Sequence, residues 1–89
     1  MEETFIFNPE KYGFIKFGYV NINDELWISK KQFKEDITEG LVTLRYYTDL
    51  DKWGVFRDGE RIYFEKVESE ETIKSFLLDE GILNGKSFK

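Results

Sequence analysis

The stretch from Phe5 to Phe17, F-I-F-N-P-E-K-Y-G-F-I-K-F, narrows the folds open to this chain more than any other. It holds two runs of β-forming residues, Thr4 to Phe7 and Tyr12 to Phe17, separated by Asn8, Pro9, Glu10 and Lys11. Asn turns a chain by bonding its side chain to nearby backbone, and Pro fixes its own φ. The pattern predicts a β-hairpin. Side chains alternate across a strand, so Phe5, Phe7, Ile15 and Phe17 are expected on one face. Ile6, Tyr12, Phe14 and Lys16 then share the other. Three large apolar groups in that second set require one of two things: a further layer covering them, or a partner that binds there.

Beyond the hairpin, Asn21 to Asp24 reads as a turn and Leu26-Trp27-Ile28 as a strand, with Leu26 and Ile28 inward and Trp27 on the side of Tyr12 and Phe14. Lys30 to Thr38 is polar apart from Phe33 and Ile37 and reads as a loop or one helical turn. Gly40 precedes a β-rich run, Leu41 to Thr48, with Val42, Leu44 and Tyr46 inward. Asp49 to Lys52 turns into Trp53 to Phe56, and Asp58-Gly59 is a two-residue hairpin signal leading to Ile62 to Val67. Short strands joined by tight turns predict a mainly β chain, a small antiparallel barrel of five to six strands. The period changes at Ser69, an expected N-cap, with Glu70 and Glu71 suited to the positive end of a helix dipole. Ile73, Phe76 and Leu77 form an apolar stripe at helical spacing, and Gly81 with Ile82 suits a Schellman closure against Leu77. Asn84 to Lys89 reads as a frayed end. The expected organisation is a single domain: a barrel over residues 1–67, with a helix and tail over 68–89 packed on it.

At 89 residues the chain can build one modest core. It has neither cysteine nor histidine, which excludes disulfides, thiolate chemistry, His general bases and the commonest zinc ligands. The serines and threonines lack a histidine partner for activation, and no glycine-rich phosphate loop is present. No catalysis and no cofactor are expected. No apolar run nears the roughly 20 residues of a membrane span, and Met1-Glu2-Glu3 is unlike a signal peptide, so no membrane partner and a cytoplasmic location are expected. A net charge of −5 disfavours non-specific duplex binding. It leaves single strands open, because stacking on aromatic rings supplies much of that affinity. Aromatics make up 18% of the chain, well above what packing alone usually requires.

The run Phe7 to Ile15, F-N-P-E-K-Y-G-F-I, resembles the opening of the cold-shock domain, where a strand ending Trp-Phe-Asn leads to Lys-Gly-Phe-Gly-Phe-Ile. Glu25-Leu26-Trp27-Ile28-Ser29 is similar to that family's second motif, and Thr38-Glu39-Gly40-Leu41-Val42 to its Glu-Gly-x-x-Val run. The resemblance spans about Thr4 to Val67, with the helix as an addition. It implies an OB-like barrel that binds single-stranded RNA or DNA by stacking bases. Matched residue by residue, Tyr12, Phe14 and Trp27 take the ring positions, and Lys11, Lys16, Lys30 and Lys31 are placed to contact phosphates. One glycine of the first motif is missing. The family's Trp is Ile6 here, its His is Ser29 and its second Phe is Lys30. Each stacked base contributes about 1–3 kcal/mol, so weak, salt-sensitive, single-strand-selective binding is the expectation. The competing reading is an acidic protein-interaction module on an OB or SH3-like barrel that has lost nucleic-acid binding and uses the same aromatic patch for a protein. Asp49 to Glu60 nearly spells a calcium loop, but Trp53 occupies a ligand position and both flanks are β-patterned, so it reads as a plain hairpin and no metal is expected.

Overall fold

The computed structural model describes residues 5–83. Five antiparallel strands lie in chain order across one sheet: β1 (Phe14–Val20), β2 (Asp24–Ser29), β3 (Val42–Tyr47), β4 (Lys52–Arg57) and β5 (Glu60–Glu65). Helix α1 (Lys30–Glu35) joins β2 to β3, and α2 (Glu70–Asp79) follows the sheet. The mainly β class with a C-terminal helix is what the alternation implied. The described ladders form a meander, and none of them pairs β5 with β1 to close a barrel. Each edge strand carries one unmatched residue, Phe17 in β1 and Ile62 in β5, where its register shifts. Bulges twist an edge and discourage pairing with another chain.

The hairpin expected at the start does not form. Phe5 to Asn8 belong to no strand, and Thr4 lies outside the described residues. Asn8 instead caps a 3-10 turn over Pro9–Tyr12, its side chain accepting from the Glu10 N–H at 3.2 Å. Pro at the first helical position loses nothing, because an N–H there has no intrahelical partner. Gly13, at φ 89°, then swings the chain into β1. A locally capped turn thus displaces the hairpin, and Tyr12 sits in that turn rather than in a strand.

The later signals produce the expected elements. Asp58 and Gly59 both take positive φ, 53° and 84°, as a tight two-residue hairpin turn requires. The Ser69 hydroxyl caps α2 by accepting from the Thr72 N–H at 3.3 Å. Gly81 adopts φ 73°, its N–H bonds Leu78 O at 3.0 Å, and the Ile82 N–H bonds Leu77 O at 2.9 Å, which is the Schellman pattern. Ile73 and Leu77 are wholly buried and Phe76 packs on Tyr63, ring centroids 4.7 Å apart. Arg57 fixes the far end of the helix, bonding the Glu80 carboxylate at 3.0 Å and its carbonyl at 2.6 Å.

One face of the sheet is therefore the core side. Val42, Leu44, Trp53 and Val55 are buried there beneath Ile73 and Leu77 of α2, with Phe7 and Tyr12 packed in from the N-terminal segment. Among the described residues no helix is long and apolar enough to cross a membrane.

Candidate functional site

The three rings expected on a free surface are in the core. Tyr12, Phe14 and Trp27 are 7%, 3% and 9% exposed. The register gives the reason: Trp27 stands opposite Leu44, and directly opposed residues share a face. Val42 and Leu44 inward therefore bring Trp27 inward. The set expected to share a face with Phe7 is split: Phe7 is buried and Phe5 packs on the core, but Phe17 is 63% exposed and Ile15 lies on the outer face opposite Ile28. Tyr12, Phe14 and Trp27 offer no open planes for bases, and that part of the expected site is corrected.

The four lysines do not form one surface. Lys11 lies beside the N-terminus of α2, 2.6 Å from Glu70 Oε2, and Tyr12 Oη donates to the same oxygen at 2.5 Å. Hydrogen bonds from Lys11 and Tyr12 hold the Glu70 carboxyl below its usual 4.5, while burial and then Glu70 push the Tyr12 phenol well above its ordinary value. Lys16 is on the inner side of β1, bonding Tyr19 Oη at 2.8 Å with Glu25 at 3.7 Å. Its ammonium is raised above the usual lysine value, first by that bond to Tyr19. Lys30 and Lys31 are exposed on the first turn of α1. Lys11, Tyr12 and Lys31 do border one recess of about 510 Å³ beside Arg57 and Ile82. Phe14, Lys16 and Trp27 do not reach it.

A different surface has the features of a docking site. Two cross-strand rows make up the outer face of the sheet: Ile15, Ile28, Thr43, Phe56 and Arg61, then Gly18, Leu26, Arg45, Gly54 and Phe64, with Tyr47 and Lys52 paired beyond them. None of these side chains joins the buried core cluster, because α2 and the N-terminal segment both lie on the inner side. They shield one another only partly. Tyr47 meets Phe64 edge to face at 5.0 Å. Arg45 lies over the Tyr47 ring at 4.8 Å, and Arg61 and Lys52 lie over Phe64 at 4.3 and 4.9 Å. Gly54 is the low centre: a Cβ there would stand 3.0 Å from Tyr47 and 3.1 Å from Phe56.

Asp24, paired with Val20 beyond these rows, is 3.1 Å from Arg45, both largely shielded from solvent. Arg45 Nε is buried and makes no hydrogen bond among the described residues. A buried donor left unpaired costs about 1–3 kcal/mol, so Arg45 is not placed here for its own bonding alone. Among the described residues, three cations against one carboxylate make this face locally positive in a chain of net charge −5. The signal was present in the sequence as alternate positions of β3 to β5. Finding it required knowing which alternate set α2 would cover. Among the described residues no group of three or more acids could hold a metal ion. No family model matches this chain, and neither does any curated protein or solved structure.

Proposed function

We propose that the chain is a non-enzymatic protein-interaction module whose outer sheet face docks an acidic, partly apolar segment of a partner protein. The observation that carries this reading is the pairing of partly exposed Ile15, Leu26, Ile28, Tyr47, Phe56 and Phe64, outside the buried core, with Arg45, Lys52 and Arg61 on one face. Interface cores are enriched in aromatic residues and Arg and depleted of acids, and Tyr and Arg are frequent hot spots. Local positive charge on an acidic molecule selects partners by charge and speeds their encounter.

A second reading keeps the single-stranded RNA or DNA partner that the cold-shock resemblance implies, and moves it to this face. The same three cations favour it. Against it, Arg45, Lys52 and Arg61 already lie over the Tyr47 and Phe64 rings, where a base would stack.

The test is a titration of isotope-labelled protein with a peptide alternating acidic residues with Leu and Phe, and separately with oligothymidine, followed by backbone amide shifts. The peptide is expected to move amides of β3, β4 and β5, with affinity reduced about tenfold or more in an Arg45→Ala/Arg61→Ala variant. Tighter binding of oligothymidine at the same amides establishes the second reading. Shifts confined to other parts of the molecule, or none with either probe, reject both.

A further inference from the structure

The inner face carries a second recess, independent of the outer surface. It lies along a cross-strand row of rings and carboxylates, Tyr19, Glu25, Tyr46, Trp53 and Glu65, of which Glu25, Tyr46 and Trp53 line it. The N-terminal segment crosses above this row and leaves a cleft of about 740 Å³, bordered by Phe5, Phe7, Trp27, Tyr46 and Trp53. Those rings meet at several inclinations. Tyr46 and Trp53 are tilted 37° with centroids 4.8 Å apart, Trp27 and Trp53 57° at 6.3 Å, and Phe7 stands 85° to Trp53 at 4.9 Å. Among the described residues, three carboxylates, Glu25, Asp51 and Glu68, line the same cleft against one cation, Lys66.

Two of these acids are held in place by aromatic donors. The Trp27 indole N–H donates to Glu25 at 3.0 Å, and Tyr46 Oη donates to Asp51 at 2.8 Å. The hydrogen bond to Asp51, then burial, then the charges of Asp51 and Glu25 raise the Tyr46 phenol above its ordinary value. The competing internal cations are loosely engaged: Lys66 is 3.5 Å from Asp51 with both ends mostly in water, and Lys16 is 3.7 Å from Glu25. Exposed pairs of this kind contribute little.

We infer that this cleft binds an alkylammonium head group, as carried by a lysine side chain, by its N-methylated forms or by a free choline-like molecule. Tyr46 and Phe5 are the partly exposed rings of the cleft, while Trp27 and Trp53 border it with only 9% and 8% of their surface open. Ring faces attract such a cation through their quadrupoles, and the fixed carboxylates add charge complementarity. A neutral group of the same shape lacks both attractions.

Trp27 and Trp53 are the chain's two tryptophans and both line the cleft, so their fluorescence and indole N–H resonances report on it directly. The probes are choline, N-acetyl-lysine amide, N-acetyl-trimethyllysine amide and the uncharged carbon isostere of choline, in which a tert-butyl group replaces trimethylammonium. Choline or one of the lysine amides is expected to give a saturable, salt-sensitive change in the millimolar range, and the isostere none. Glu25→Gln and Asp51→Asn each weaken it about threefold to tenfold, the range one charge or ring contact supports. Removing the internal competitor in Lys66→Ala strengthens it. The preferred cation identifies the source of the head group. An isostere response equal to that of choline, no saturable change with any cation, or binding unaltered in the Glu25→Gln/Asp51→Asn double variant overturns the inference. Because the cleft and the outer face are on opposite sides of the sheet, failure here leaves the proposed docking face untouched.

Discussion

The two faces of this sheet receive alternate residues of the same five strands, and they end in opposite conditions. Inward, Leu44 and Val55 are wholly excluded from water, and no buried charged residue occurs among the described residues. Outward, aliphatics and rings of similar size stay partly exposed, interleaved with Arg45, Lys52 and Arg61. The strands themselves do not make this difference. It is made by what the chain does before β1 and after β5: the capped turn at Asn8 and the helix from Glu70 both fold to the same side. A strand pattern supplies two candidate faces, and the flanking segments choose the core.

The comparison is most easily broken by truncating one ring on each side. Phe14→Ala is expected to cost about 3–5 kcal/mol, since its ring is enclosed and the cavity cannot collapse. That is a large part of the roughly 5–15 kcal/mol that holds a domain together. Phe56→Ala on the outer face is expected to cost about 1 kcal/mol, in proportion to its partial burial. Chemical denaturation of the two variants decides the matter, and equal losses would mean that the outer face is covered too. Gly54→Ala probes the outer face from beneath. Its methyl group meets Tyr47 and Phe56 at 3.0 and 3.1 Å, and overpacking of this kind costs about 1–3 kcal/mol. The same substitution in a Tyr47→Leu background is expected to cost less, because the nearer ring is gone.

The sequence disclosed elements better than it disclosed sides. Strands β2 to β5, the Asp58-Gly59 turn, the Ser69 cap and the Gly81 closure each rest on local chemistry that acts over two to six residues, and each is found where that chemistry puts it. The opening segment reads as a hairpin because Asn8 and Pro9 serve two structures equally well, a hairpin loop or a capped 3-10 turn, and only the second places Gly13 at φ 89° before β1. The candidate site followed that error. Alternation within its own strand turns Trp27 outward, whereas its side is fixed by pairing with Leu44, 17 positions later in the chain. The bulge at Phe17 reverses the parity of β1 partway along, which a fixed two-residue period cannot anticipate. The Arg45–Tyr47–Phe64 surface depends on the same long-range facts, and so it was not assembled from the sequence.

Loosening the cover of the inner face sharpens the contrast with a smaller effect. Ser69→Ala removes the acceptor for the Thr72 N–H at the start of α2, at an expected cost of about 1 kcal/mol. Hydrogen exchange is expected to rise in α2 and on the inner rows while the protection pattern at the Asp58-Gly59 turn is unchanged. Exchange rising uniformly through the sheet would instead show that helix and sheet open as one unit.

The smallest effect is the pH dependence of the contact that ties the N-terminal turn to α2. Glu70 accepts from Lys11 and Tyr12, and its folded pKa lies below the ordinary 4.5. The fold therefore prefers the carboxylate, and its contribution is complete above pH 4.5 and fades as pH falls through the lower folded value. Tyr12 is shifted the other way, upward from 10.0 by burial and by Glu70. The fold prefers the neutral phenol, so this contribution is present below pH 10.0 and is lost as pH rises through the higher folded value. The turn and the helix are thus best joined between those limits. Because Glu70 and Lys11 are partly open to solvent, the acid-side slope is shallow and screened by salt. Thermal unfolding followed across pH is expected to lose that slope in Glu70→Gln and to show a smaller alkaline slope in Tyr12→Phe, the remainder coming from the raised Tyr46, Tyr63 and Lys16, with outer-face variants such as Arg61→Ala changing neither. A Glu70→Gln protein whose acid-side slope matches the parent would show that the latch is not what couples the cover of the inner face to pH.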